Sequence, residues 1–468
     1  MGKAVKIGFV SLGCPKNQID AEVMLHDLAE AGYELTGEDI EADIVIINTC
    51  AFITSAKQES IDSILDVAWL KEHRRLRGII VTGCLAERYR DEVAKELPEV
   101  DALLGCGSIH DIVEAVKTVD EKTGGSSGSN CGSGSRKKGS KKTGSLIYSS
   151  FKPVEEVELG GARVLTTPDY YAYLKIAEGC DNRCTYCAIP GIRGRFRSRT
   201  IEDIVGEAKT LEASGVKELV LVAQDTTRYG IDIYGEYRLH TLIRAITDAT
   251  SIPWIRLLYC YPDKLTDELL SEIANNPRVL KYIDIPIQHV DNEVLTRMNR
   301  HGGEEAVRSA VRCLREAVPG IILRTTVITG FPGETEEQFS RLCEFVRETK
   351  FERLGAFAYS EEEGTPAAGF DGQIDEQTKN DRSDCIMSIQ ADISAELCEK
   401  KLGKVITVLN EGYDAVSETW FGRSADDAPE IDGKVYFTTI RKPTPGEFLS
   451  VKITEALDYD LIGEEVAF

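Results

Sequence analysis

Three thiols stand within eight residues in Cys180-Asp-Asn-Arg-Cys184-Thr-Tyr-Cys187, with Tyr186 inside the run. The stretch before them, YYAYLKIAEG, reads as a strand. Three thiolates crowded into one short loop suit three irons of a cubane 4Fe-4S cluster and leave the fourth iron without a protein ligand. An open iron on a redox cluster is what the amino and carboxylate groups of S-adenosylmethionine (SAM) need for reductive cleavage to a radical. Zinc is one alternative, although it usually takes four ligands and often paired C-x2-C knuckles. A scatter of free thiols is the other.

A second set is spread over longer range. Cys14, Cys50 and Cys84 each follow a strand-like run: VSLGC, INTC and VTGC. In an open parallel sheet the C-terminal strand ends share one edge and border the ligand crevice. Three cysteines from three strands therefore have a route to one site, and a second cluster with one open iron is the functional reading. Three buried structural thiols are the alternative. Cys106 follows a fourth short run, Ala102–Gly105, and reads as a bystander near the same edge. Cys131, Cys260, Cys313, Cys343, Cys385 and Cys398 show no ligand spacing.

The elements that must position these residues are legible in part. Lys6–Leu12, Asp43–Asn48 and Gly78–Thr82 are β-branched runs. Gln18–Ala31 and Ser55–Glu72 between them have the apolar spacing of helices. This predicts an α/β fold that begins with an open parallel α/β sheet, in a domain over residues 1–120. Thr123–Ser145 is rich in Gly, Ser and Lys, so 121–165 is expected to be a flexible linker and connection. Its basic run, Arg136–Lys142, reads as solvated linker rather than an RNA contact. Residues 166–400 alternate again, with strands at Tyr171–Ala177, Glu218–Ala223, Trp254–Tyr259, Tyr282–Pro286, Ile321–Thr329 and Leu354–Tyr359. Helices such as Ile201–Ser214 and Glu304–Val318 fall between them, and Thr335 with Gln338 marks a capping box. Six such units predict an incomplete (β/α)6 barrel with function at the C-terminal strand ends. Residues 401–468, with strands at Lys404–Asn410, Gly433–Thr438 and Glu447–Ala456, fit a small antiparallel β-barrel, OB-like in scale.

Polar groups recur at those strand ends. Gln224 and Asp225 follow the second barrel strand, and Arg256 lies on the third. Gln288 and His289 follow the fourth, and Gly330-Phe-Pro-Gly-Glu334 the fifth. With Tyr186, the residues Gln224, Asp225, Arg256, Gln288, Gly330 and Glu334 are the candidate SAM contacts. Gly191-Ile-Arg-Gly-Arg-Phe-Arg-Ser-Arg199 places four arginines after the cysteine loop. They suit either the SAM carboxylate or an anionic substrate group, or else form an exposed basic loop.

Composition narrows the class. The 468 residues carry a net charge of −23, which argues against a general nucleic-acid binder, since phosphate contacts need Lys and Arg. Thirteen cysteines with no export signal or bilayer-length apolar run point to a reduced, cytoplasmic chain whose thiols are free to ligate iron. A ferredoxin-like electron carrier would need neither the large barrel nor two sets of three cysteines.

With both cysteine sets in this order, the chain resembles the methylthiotransferases over its whole length apart from the linker. That family combines a three-cysteine N-terminal domain, a radical SAM barrel and a C-terminal TRAM domain. Within it, Gly13-Cys14-Pro15-Lys16-Asn17 resembles the branch acting on an aspartate of the small-subunit ribosomal protein numbered twelve. Tyr173–Gly179 and Gly422–Asp432 look like that branch too. The branch acting on adenosine in transfer RNA usually shows Gln and Asn around the first cysteine. Gln18 and Ala21 depart from the pattern, where an aliphatic residue and a serine are expected. The resemblance implies two 4Fe-4S clusters, at Cys14/Cys50/Cys84 and at Cys180/Cys184/Cys187, and two uses of SAM. One SAM methylates sulfur at the first cluster; the other gives a radical that takes hydrogen from the aspartate β-carbon. No side-chain acid or base is assigned. An electron donor and a sulfur source are implied as partners, with no membrane; transfer RNA, the substrate of the other branch, is the alternative. From Gly403 onward there are 13 acidic and 6 basic residues, so the last domain complements a basic ribosomal protein.

Overall fold

The computed structural model describes residues 5–124 and 146–466. The chain forms two compact units. The first is built from residues up to Thr166 with Glu178–Asp181 and Cys187–Arg197; the second takes Thr167–Ala177, Asn182–Tyr186 and the chain from Ser198 onward. The expected linker lies outside the described residues from 125 to 145, and with it Cys131 and Arg136–Lys142.

In the first unit, strands β1 (Lys6–Ser11), β2 (Glu34–Thr36), β3 (Ile44–Thr49), β4 (Gly78–Gly83), β5 (Ala102–Leu104) and β6 (Tyr148–Ser150) form one sheet. Their order is β2-β1-β3-β4-β5-β6, and every pairing is parallel. Helices α1 (Pro15–Glu30), α2 (Thr54–His73), α3 (Cys84–Arg88), α4 (Arg90–Glu96) and α5 (Ile112–Gly124) complete it. Strand alternation sorts the core into two layers. Val45, Ile47, Ile79 and Val81 pack with Ile64 and Val67 of α2. Ile44, Ile46 and Ile80 pack with Met24 and Leu28 of α1 and Val116 and Val119 of α5. Each such side chain, once buried, contributes about 1.5–3 kcal/mol, and this fixes which strand ends lie side by side. The connection expected over 121–165 in fact includes β6, whose Leu103↔Ser149 pairing extends the sheet beyond β5. Three residues are too few to show strand periodicity in a sequence.

In the second unit, Tyr171–Lys175, Glu218–Val222, Trp254–Leu257, Val279–Asp284, Ile322–Thr329 and Arg353–Ala358 are parallel neighbours in chain order, an open (β/α)6 sheet. The Thr335/Gln338 capping box is present. Helix Glu376–Glu399 leads to a closed barrel of Val405–Asp414, Thr419–Ser424, Val435–Thr438, Phe448–Ala456 and Leu461–Glu465. The second and fifth of these strands were not expected from sequence. One contains Gly422 and the other Gly463, both crowded by neighbouring backbone, so their role is close approach rather than alternation.

The segment Gly422–Asp432 seats this small barrel on the N-terminal halves of the six strands. Arg423 pairs with Glu218 at 2.8 Å and Glu411 at 2.6 Å, and Asp427 pairs with Arg353. Tyr282 donates to Asp432 at 2.6 Å, and Tyr171 to Glu430 at 2.9 Å. Four of the acidic residues counted above therefore face partners inside their own unit.

Candidate functional site: two cysteine sets

Cys14, Cys50 and Cys84 follow β1, β3 and β4, which are adjacent and parallel, so all three leave the same edge of the sheet. Cys14 caps α1 ahead of Pro15 at N1, and Cys84 opens α3. Two glycines make these turns. Gly13 has φ +94°, and a Cβ there would meet the Cys50 Sγ at 3.1 Å. Gly83 has φ +89°, and a Cβ there would strike Asn48 Oδ1 at 2.4 Å and the Thr49 carbonyl at 2.6 Å. The Cys50 N–H donates to Ser60 Oγ at 3.0 Å, and that hydroxyl donates back to the Cys50 carbonyl at 2.9 Å, which ties the turn to α2.

The three thiols feel one another. Burial pushes the Cys50 thiol up to about 12, and the neighbouring Cys84 and Cys14 add to the rise. Cys84 goes the other way. A hydrogen bond from the Cys106 thiol and the Arg193 guanidinium, Nη2 at 3.5 Å from Sγ, hold it below the ordinary thiol range against full burial. Cys106, expected to be a bystander, is thus in contact with Cys84 and keeps the proton; its own thiol is raised by the same bond and by burial. Arg193 is fixed by Asp20 at 2.5 Å, Glu178 at 3.4 Å and Asn17 Oδ1 at 2.8 Å. Asn17 in turn donates to the carbonyls of Leu12 at 2.6 Å and Thr49 at 3.1 Å.

The loop of the second set has ends in the first unit and its middle, Asn182–Tyr186, in the second. That middle is pinned residue by residue. Asn182 donates to Asp225 at 2.7 Å and accepts from Arg228 at 3.1 Å. Asn299 holds the Arg183 carbonyl at 2.8 Å, and Thr185 donates to the Met298 and Arg297 carbonyls. The Cys184 sulfur lies 3.4 Å from the Tyr261 hydroxyl, and Arg300 stacks 3.9 Å over the Tyr261 ring while hydrogen-bonding the same sulfur.

The other sequence-selected residues divide. Tyr186 packs against the cluster of Val294, Met298, Phe331, Tyr359 and Ala367, and Gln224 and Asp225 follow the second strand. Gln288, at φ +70°, is bridged to the fifth strand through the Thr326 carbonyl and the Ile328 N–H. Gly330 follows the fifth strand at φ +69° with Lys379 where a Cβ would be. Two of the candidate residues are engaged by protein groups. Arg256 points to the other end of the sheet, where it pairs with Glu218 at 2.6 Å and donates to the Ala425 carbonyl at 3.0 Å. Glu334 is fully buried and engaged, with Gly330 N–H and Arg382 on one oxygen and His289 3.3 Å from the other, so it braces its neighbours. The four arginines do not form an exposed basic loop. Arg193 enters the Cys84 site, Arg195 is exposed near Asp181, Arg197 holds the carbonyls of Val154, Glu155 and Val157, and Arg199 pairs with Glu207 and Asp203.

Sequence reasoning did not single out Tyr261, Arg300, Asn182 and Asn299. Tyr261 stands just after a strand, where polar groups recur; Arg300 and Asn299 follow a short helix and carry no spacing signal. Among the described residues no three His, Cys, Asp or Glu converge to hold a single metal ion. A cubane places each thiolate on a different iron and so makes a different demand.

Residues 6–105 match a family described as Uncharacterized protein family UPF0004, residues 174–346 the Radical SAM superfamily, and residues 402–466 the TRAM domain. The ribosomal protein uS12 methylthiotransferase RimO of Desulforamulus reducens is 47% identical over 98% of this chain and 99% of its own length. That of Pelotomaculum thermopropionicum is 48% identical over 99% of each. The radical S-adenosylmethionine methyltransferase TsrM from Kitasatospora setae shares the fold, with a TM-score of 0.55 at 14% identity over 88% of this chain and 79% of that one. With three matched domains in this order and relatives this similar from end to end, the chain belongs to the ribosomal protein uS12 methylthiotransferases, within the radical SAM superfamily.

Proposed function

We propose that this chain adds a methylthio group to the β-carbon of an aspartate in ribosomal protein uS12, using SAM and two 4Fe-4S clusters. The observation that carries the reading is the convergence of Cys14, Cys50 and Cys84 at one sheet edge, in a chain that also bears the Cys180/Cys184/Cys187 loop. The donor sets fit such groups: each is three thiols, and Cys84 is already favoured as thiolate by Cys106 and Arg193. When bound, the clusters and SAM supply an open iron for sulfur and a one-electron route to a carbon radical.

The residues of the chain hold and orient. Asn182, Asn299 and Thr185 keep the loop in one conformation, and Tyr261 and Arg300 hold the Cys184 sulfur. Tyr186, Gln224, Asp225, Gln288 and Gly330 line the C-terminal strand ends and are the residues we assign to SAM. The remaining acidic groups of the terminal barrel, among them Asp414, Glu418, Glu455 and Glu464, serve to dock a basic small-subunit protein. An electron donor and a sulfur source complete the reaction, which takes place in the cytoplasm where ribosomes are made; no helix among the described residues is long and apolar enough to cross a membrane.

The test is anaerobic incubation of reconstituted enzyme with SAM, sulfide and a reductant, followed by mass spectrometry of uS12 and, separately, of transfer RNA. A gain of one methylthio group on an aspartate of uS12 is expected. The same gain on an adenosine of transfer RNA would overturn the assigned substrate.

A further inference from the structure

Arg193 is one of four arginines in its segment, and it is the one whose guanidinium reaches a cysteine sulfur. It lies six residues past Cys187, yet its guanidinium is 4% exposed and belongs to the first unit. Two buried carboxylates, Asp20 and Glu178, hold one arm of the planar fork, and Asn17 accepts from the other. That second nitrogen, Nη2, lies 3.5 Å from the Cys84 sulfur. A buried cation needs such partners to persist, but two carboxylates and an amide would satisfy it without any sulfur. The fork is oriented so that one N–H is left for Cys84. The Cys106 thiol approaches the same sulfur as a second donor.

We infer that Arg193 is a positioning residue for the cluster at Cys14, Cys50 and Cys84, holding the Cys84 corner and raising the reduction potential of that cluster through its hydrogen bond and charge on the Cys84 sulfur. The inference rests on the two-cluster reading above. Reduction adds negative charge to a cluster, and hydrogen bonds to its ligand sulfurs stabilise the more negative state. The arm that reaches Cys84 comes from the chain segment that also supplies Cys187, so one short stretch serves both cysteine sets.

The test uses the full chain with Cys180→Ala, Cys184→Ala and Cys187→Ala, which leaves only the first-unit set. Iron is counted after anaerobic reconstitution, and the electron paramagnetic resonance signal of the reduced cluster is followed in a redox titration. With Arg193 in place, about four irons are expected. Arg193→Gln is expected to lower the reduced-to-oxidised ratio at a fixed poise about tenfold, equivalent to about 59 mV for a one-electron couple. Arg193→Lys keeps the cation that Asp20 and Glu178 require and so guards the fold. Its single ammonium cannot reproduce the fork, and a shift in the same direction is expected. Loss of iron from both variants, with circular dichroism unchanged, would equally support the tie to Cys84. A midpoint equal to that of the parent in either variant that retains its cluster would overturn the inference. Absence of iron in the parent would instead overturn the two-cluster reading itself.

Discussion

Cys84 is approached by Arg193 and Cys106, and Cys184 by Tyr261 and Arg300, so one sulfur of each set has two hydrogen-bond donors directed at it. A hydrogen bond to a charged group contributes about 1.5–3 kcal/mol. Tyr261→Phe removes one donor from Cys184 and leaves the ring that Arg300 stacks on. At a fixed reductant poise it should cut the reduced fraction of the loop cluster about tenfold, as read by electron paramagnetic resonance, with the thermal transition nearly unchanged. Replacing Cys14, Cys50 and Cys84 together by Ala should abolish methylthiolation while SAM is still cleaved. The release of 5′-deoxyadenosine without a mass gain on uS12 is the measurement, and retained methylthiolation would end the two-cluster account. At this scale the sequence was legible where ligands are close in number, as in the loop, or stand behind recognisable strands, as in the first set. Arg300 and Asn299 were not, because their partners at Cys184 and Arg183 lie more than a hundred residues away and no local pattern marks them.

Elements place these residues through turns that allow little substitution. Gly83 joins β4 to α3 at positive φ with Asn48 and Thr49 pressed against it. Gly83→Ala therefore has to move the Cys84 turn, at a cost of about 1–3 kcal/mol for the strained backbone alone. A lower melting temperature and reduced iron content after reconstitution are expected together. Ser60 is buried on α2 and satisfies both the N–H and the carbonyl of Cys50. Ser60→Ala leaves a buried N–H without that acceptor, which costs about 1–3 kcal/mol. Denaturant titration should show the loss, and iron content should fall less than in Gly83→Ala because no atom is pushed aside. The long buried strands and the helices of α1 and α2 were readable because β-branched runs and 3.6-residue periodicity extend over enough residues to register. The short strands β2 and β6 take their structure from the sheet they join, which a local reading does not contain.

At the scale of the whole molecule, the terminal barrel is attached to the six-stranded sheet through buried ion pairs and hydrogen bonds. Its acidic composition reads differently once Glu411, Asp427, Glu430 and Asp432 are seen to meet arginines and tyrosines of their own unit. What remains for a basic partner is the acidic surface away from this seat, and a docking effect should be sought there. The seat itself makes a separate prediction. Arg353 and Asp427 are both buried, and the carboxylate is held below its usual range although burial opposes this, with Arg353 the leading favourable cause. Removing one partner leaves an uncompensated buried charge and is expected to cost about 3–5 kcal/mol, whereas replacing both by apolar residues of similar size is often near neutral. Arg353→Leu and Asp427→Leu should each lower stability markedly in denaturant titration, and the double variant should recover much of the loss. The coupling between the two sites should then be at least as large as either single loss, above the range of about 0.5–3 kcal/mol usual for interacting neighbours. Additive losses would mean that the two side chains act independently, and that Arg423 with Glu218 carries the attachment instead. Glu218→Gln would then be the variant that loosens the barrel, since it removes the carboxylate shared by Arg256 and Arg423.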